Sequence, residues 1–135
     1  MDMNLGALNY LAIVLAALSL FVVGGLWYSL LFAKAWMKAA DMTPEKASGG
    51  RVVMRFAGTF LLGVFAAFIL ALFIGIKHGT VFGLIAGFLV GFGWIAPMLG
   101  IYYLFERRSL VHFAINASYA VVAFSLMGVI IGAMQ

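Results

Sequence analysis

The chain has 135 residues, of which 67% are hydrophobic and only 9% are charged, and its formal net charge is +4. Soluble domains carry about 25% charged residues, so a water-soluble protein of this size could not cover so much apolar surface. The composition excludes an ordinary soluble domain and predicts a protein whose solvent is the lipid bilayer. Because the sequence contains no cysteine, disulfides and thiolate metal sites are excluded as well.

Four stretches without Asp, Glu, Lys or Arg divide the chain, and each is long enough for one membrane-spanning helix of about 20 residues. Backbone polar groups in hydrocarbon must be satisfied within each segment, which makes the spans helical. The predicted fold is an all-α integral membrane protein with a single four-helix transmembrane domain over residues 1–135. The predicted spans are 8–31, 55–76, 80–105 and 110–133.

The connection between the first two spans is predicted to be partly helical. Lys34 and Lys38 lie four residues apart, as do Phe32 and Trp36, so a basic and an aromatic face lie side by side. This pattern is typical of a helix end that emerges through the headgroup layer. The following MTPEKASGG (42–50) predicts a short interfacial helix that begins at a threonine cap and ends at a glycine pair.

The basic residues are distributed unevenly over the three connections. The first connection carries five Lys and Arg, the third carries Arg107 and Arg108, and the second carries only Lys77. The first and third connections of a four-span protein lie on the same side, and the positive-inside rule makes that side cytoplasmic. We therefore expect a multi-pass protein of the bacterial cytoplasmic membrane with both termini outside.

A row of glycines at every fourth position follows one face of the third span, and a shorter row recurs in the fourth. Small residues let membrane helices approach closely. The row therefore predicts helix packing within one bundle or between copies in a homo-oligomer. A pore lining is disfavoured because glycine offers no side chain to select a solute. The residues predicted to pack are Gly79, Gly83, Gly87 and Gly91, with Gly128 and Gly132.

The third span also contains Pro97, which lacks an N–H and cannot donate to the carbonyl of Gly93. This predicts a kink. The kink is interpreted either as a passive fit to the bundle or as a hinge.

Aromatic and polar residues of three spans converge near the predicted cytoplasmic ends. Asn116 is the least compatible with hydrocarbon, because its amide needs hydrogen-bonding partners there. It is interpreted either as an interhelical hydrogen-bonding residue or as part of a ligand or headgroup pocket. The candidate ligand-binding residues are Trp27, Tyr28, Lys34, Lys38, Tyr103, Arg107, Arg108, Asn116 and Tyr119.

Catalytic signatures are absent from the sequence. No Asp, Glu, Lys or Arg lies in the middle of a span, so a carboxylate proton relay, as in small four-helix drug exporters, is not supported. The two histidines and four acidic residues lack metal-ligand spacing. We expect no catalytic residues, metal, cofactor or nucleic-acid partner, and a protein that is not an enzyme.

Two segments carry a family resemblance, GGLWYSLLFAKAWMK (24–38) and YYLFERRSLVHFAINASYAVVAFSLMGVIIGA (102–133). They resemble the small four-helix bacterial membrane proteins grouped as domain of unknown function 1761. The resemblance implies four helices and a membrane location, and it supplies no activity. The family pattern has a proline after Trp-Tyr-Ser where this chain has Leu30, which predicts a helix that continues smoothly through this turn.

Two hypotheses for the function follow. The first is a non-enzymatic protein that binds a lipid or small amphiphile, with or without moving it across the bilayer, at the cytoplasmic side. Its basic residues would attract anionic lipids in particular. The alternative is a structural or accessory subunit that acts through self-association or partner docking.

Overall fold

The structure, a computed structural model, describes residues 4–43, 45 and 51–135. Within this part of the chain there are five helices and no β-strand. Four of them are long and apolar enough to cross a membrane, which confirms the predicted all-α membrane fold. The helices are α1 (Tyr10–Leu31), α2 (Ala33–Ala39), α3 (Val52–Ile74), α4 (Gly79–Phe105) and α5 (Leu110–Met134).

The first connection differs from the prediction in its details. The chain does not continue smoothly after α1, because Phe32 leaves the helical region (φ −125°, ψ 18°) and α2 begins at Ala33. The helix predicted over 42–50 falls mostly on residues outside the described part of the chain. α3 begins at Val52, three residues before the predicted 55.

Polar caps and glycines set the helix ends. The Asn9 side chain accepts a hydrogen bond from the Ala12 N–H, and the Ser109 hydroxyl accepts one from the His112 N–H, both at 3.1 Å. These bonds satisfy otherwise unpaired donors in the first turns of α1 and α5. α3 ends at Ile74 because Gly75 adopts a positive φ of 69°, which suits glycine.

α5 lies at the centre of the bundle and packs most extensively against α4. A Cβ atom added to Gly83 would overlap the carbonyl oxygen of Gly128, and one added to Gly87 would overlap that of Phe124. At Gly91 the added atom would lie 2.7 Å from the Cα of Val121. The two backbones therefore touch along this seam, which glycine alone permits.

Gly79 differs from the other glycines of its row. It adopts φ 75°, and a Cβ there would meet nothing within 4 Å. Its carbonyl nevertheless lies against Gly132, where a Cβ would overlap it. Gly79 therefore starts α4 with a conformation that glycine favours, whereas Gly83, Gly87 and Gly91 provide the close contact.

α1 and α3 complete the core through small side chains. Ala16 of α1 and Ala67 and Ala71 of α3 are fully buried, as are Met127 and Ile131 of α5. At the end of the bundle that holds the α3–α4 turn, the Asn9 side chain donates to the Met134 carbonyl.

Two spans contain a π-helical segment, in Leu26–Leu31 of α1 and Gly91–Ile95 of α4. In the second segment the Ala96 N–H donates to the Gly91 carbonyl, five residues earlier, and Pro97 follows at once. The irregular turn therefore directly precedes the residue that lacks an N–H. The chain stays helical through Pro97 up to Phe105.

Candidate functional site

Asn116 lies in α5 at the centre of a hydrogen-bonded cluster that joins three spans. The Tyr28 hydroxyl of α1 donates to Asn116 Oδ1 at 2.6 Å. Asn116 Nδ2 donates to the Tyr103 hydroxyl of α4 at 2.8 Å. A polar side chain that is costly in hydrocarbon is thus paired on both sides by phenol groups.

Neighbouring side chains extend this cluster along α1 and α5. Trp27 Nε1 donates to the Ile115 carbonyl and to Ser118 Oγ, both at 3.1 Å. The Tyr119 hydroxyl donates to the Leu20 carbonyl at 3.2 Å, and its ring lies 5.2 Å from that of Tyr28. We call the side chains of these neighbouring bonds the polar network, which consists of Trp27, Tyr28, Tyr103, Asn116, Ser118 and Tyr119.

The π-helical segment of α1 positions two consecutive members of this network. Trp27 and Tyr28 are adjacent in sequence, yet both donate hydrogen bonds to α5. Short π-helical segments recur at functional sites because they change the direction in which side chains leave a helix. The sequence gives no signal for this register.

α2 packs against the same region. The Trp36 ring meets the Tyr28 ring edge-on at 5.4 Å, and His112 Nδ1 lies 3.4 Å from the Ala39 carbonyl. His112 is only 4% exposed, and the Tyr103 ring contacts it at 5.0 Å. The spacing of His112, Asn116 and Tyr119 in the sequence predicts that the three side chains lie on one face of α5. The link from His112 to α2 has no sequence signal.

Arg108 is joined to the network through Tyr103. Its guanidinium carbon lies 5.5 Å from the centre of the Tyr103 ring, and its Nε donates to Glu106 Oε2 at 2.6 Å. The hydrogen bond to Glu106 raises the pKa of the Arg108 guanidinium above its ordinary value and so favours its charged form.

The other three predicted cations lie at the surface. Lys34 and Lys38 are exposed on α2, and Arg107 is exposed in the α4–α5 turn. Arg107 has φ 57°, and the Arg108 N–H donates to the Tyr103 carbonyl at 2.9 Å, which closes the helix in a Schellman-type turn. We call the end of the bundle that carries these cations and Arg108 the basic end.

The structure thus brings Trp27, Tyr28, Tyr103, Asn116 and Tyr119 together and attaches Arg108 to them. Among the described residues it gives Lys34, Lys38 and Arg107 no hydrogen bond or ring contact to the network. The aromatic and amide groups bond to one another and to the backbone.

Two surface depressions lie away from the network. A groove of about 540 Å³ runs between α1 and α5, and its lining is apolar apart from Ser19. The Ser19 hydroxyl donates to the Ala16 carbonyl. A second depression of about 140 Å³ lies at the α3–α4 turn, residues 72–78.

The comparisons with known proteins give a family but no activity. No curated protein and no solved structure matches the chain. A family model described as protein of unknown function (DUF1761) matches residues 11–132, which is nearly the whole chain and includes every residue of the polar network. The chain therefore belongs to the DUF1761 family of proteins of unknown function.

Proposed function

We propose that this protein is a non-enzymatic membrane protein that binds the headgroup of an anionic phospholipid, or a similar small amphiphile, at its basic end. The observation that carries the proposal is the set of exposed cations that flanks a fixed aromatic network at one end of the bundle. A cation close to an anionic lipid surface contributes about 1 kcal/mol of attraction.

Apolar side chains beside these cations support a position at the membrane surface. Leu104 and Phe105, which precede the α4–α5 turn, are 81% and 87% exposed, and Leu110, which follows it, is 79% exposed. A cluster of such exposed apolar side chains is favoured where it contacts hydrocarbon. Arg107 and Arg108 lie between them in the chain, where lipid phosphates are expected.

The polar network has a supporting role in this proposal. Since Trp27, Tyr28, Asn116 and Tyr119 bond within the protein, direct contact with the headgroup is assigned to the exposed cations and to the edge of Tyr103. The network holds α1, α4 and α5 in register beneath them. We therefore treat these four half-buried side chains as positioning residues.

Lipid retention tests the proposal. Native mass spectrometry of protein in nanodiscs with phosphatidylglycerol and phosphatidylcholine in equal amounts should show preferential retention of the anionic lipid. Arg107→Gln should lower this retention about fivefold. Lys77→Gln, which removes one cation from the opposite end, is the matched control. Equal retention of both lipids by the unmodified protein would contradict the proposal.

A structural or accessory subunit is the second candidate. The observation in its favour is that the polar network is hydrogen-bonded internally, as interhelical bonding alone requires. Gly83, Gly87 and Gly91 already contact α5, so a homo-oligomer would need a different face of the bundle. Loss of self-association after substitutions on such a face, with lipid retention unchanged, would favour this candidate.

A further inference from the structure

The α4–α5 turn offers both signs of charge within one small surface. Glu106 Oε2 accepts from Arg108 Nε at 2.6 Å, and both side chains are about half exposed. An ionised carboxylate accepts more than one hydrogen bond, and a guanidinium has five N–H donors. Among the residues that the structure describes, Glu106 Oε1 and the two Nη atoms of Arg108 have no hydrogen-bonding partner.

Two contacts orient the Arg108 guanidinium. The Tyr103 ring lies beneath the guanidinium at 5.5 Å, and Glu106 holds Nε. Tyr103 is itself held by Asn116, which donates to its hydroxyl. The terminal Nη edge of Arg108 therefore remains available for an oxyanion, and such a planar edge suits two oxygens of one phosphate.

We propose that Arg108 and Glu106 together bind the headgroup of an aminophospholipid, with the phosphate on the Nη atoms of Arg108 and the primary ammonium on Glu106 Oε1. This inference rests on the proposed function, since both place a lipid headgroup at the basic end. The preference for anionic lipids belongs to Arg107 and the two lysines, whereas the Arg108–Glu106 pair selects an aminophospholipid. The charge pattern supports it, since a headgroup with a phosphate alone would leave the Glu106 carboxylate facing a like charge. A headgroup that carries both charges meets an opposite charge at each group.

Phosphatidylcholine provides a sharp comparison with phosphatidylethanolamine. Both headgroups carry a phosphate and one positive charge, but the trimethylammonium of choline has no N–H to donate. Of these two headgroups, only phosphatidylethanolamine, with its primary ammonium, can donate a hydrogen bond to the Glu106 carboxylate. An exposed charge-assisted contact of this kind corresponds to a preference of about threefold.

Native mass spectrometry of the full chain in nanodiscs with both lipids in equal amounts tests this inference. The unmodified protein should retain phosphatidylethanolamine about threefold over phosphatidylcholine. Glu106→Gln should abolish the preference while its amide oxygen still accepts from Arg108 Nε. Arg108→Gln should lower the retention of both lipids.

Asp41→Asn is the matched control, because it removes an exposed carboxylate adjoining α2, and asparagine tolerates the positive φ of 51° at this position. It should keep the preference, and thermal unfolding of each variant checks folding. Equal retention of the two lipids, or a preference that survives Glu106→Gln, overturns the inference. The proposed function can still stand if this inference fails. It stands if the protein retains phosphatidylglycerol preferentially and Arg107→Gln lowers that retention.

Discussion

Substitution of Gly87 by alanine should separate α4 from α5. A Cβ at this position would overlap the Phe124 carbonyl oxygen and would lie 2.7 Å from the carbonyl carbon. Carbon contacts are favourable only from about 3.5 Å, so the helices must move apart by about 1 Å. The obstruction is backbone, which cannot rotate away as a flexible side chain can.

The cost has two parts that can be estimated. Forced overpacking costs about 1–3 kcal/mol, and the neighbouring contacts at Gly83 and Gly91 weaken as the seam opens. The higher helix propensity of alanine offsets up to about 1 kcal/mol. We therefore expect a net loss of about 1–3 kcal/mol in the free energy of unfolding.

Equilibrium unfolding in mild detergent, followed by circular dichroism, measures this loss. Gly58→Ala is the matched control, since Gly58 lies in the transmembrane helix α3 and a Cβ there would meet nothing within 4 Å. It should leave the stability unchanged or raise it slightly. If Gly87→Ala and Gly58→Ala have the same effect, the close contact between α4 and α5 is refuted.

Three further predictions concern Asn116, the α4–α5 turn and the orientation of the protein in the membrane. Asn116→Leu should lower the free energy of unfolding by about 1–2 kcal/mol, because it removes the hydrogen bonds to Tyr28 and Tyr103. A free energy of unfolding in detergent equal to that of the unmodified protein would contradict this. Arg107→Gly should raise the unfolding midpoint by relieving a positive φ that costs about 1 kcal/mol, and an unchanged or lower midpoint would count against the turn geometry. In this cysteine-free chain, Lys77→Cys should react with an impermeant maleimide in intact cells and Arg107→Cys only after lysis; the reverse pattern would invert the predicted orientation.

Most of the fold is predictable from the sequence, because backbone N–H and C=O groups in hydrocarbon must form hydrogen bonds within a helix. The predicted span 110–133 differs from α5 by one residue at its C-terminal end, and the predicted 80–105 differs from α4 by one residue at its start. The larger error lies in α3, which begins at Val52 and ends at Ile74, whereas the predicted span is 55–76 and begins at the charged Arg55. A charge near a helix end can extend to the surface, so a charge-free stretch underestimates such a helix.

For the candidate site, the sequence predicts most of the residues involved but not the contacts between them. The demand of Asn116 for partners and the aromatic spacing identify the residues, and the structure brings Tyr28 and Tyr103 to Asn116. The sequence does not reveal which groups bond to which, because these bonds connect residues from 13 to 88 positions apart. The π-helical register at Leu26–Leu31 also lacks a signal, since it depends on tertiary packing.

Photocrosslinking with a phospholipid that carries a photoreactive headgroup tests the central claim most directly. Protein reconstituted with this lipid is irradiated and digested, and the adducts are mapped by mass spectrometry. We predict adducts concentrated in residues 30–38 and 104–112, and reduced in Arg107→Gln. Adducts spread evenly over both ends of the bundle, or unchanged by this substitution, would contradict lipid binding at the basic end.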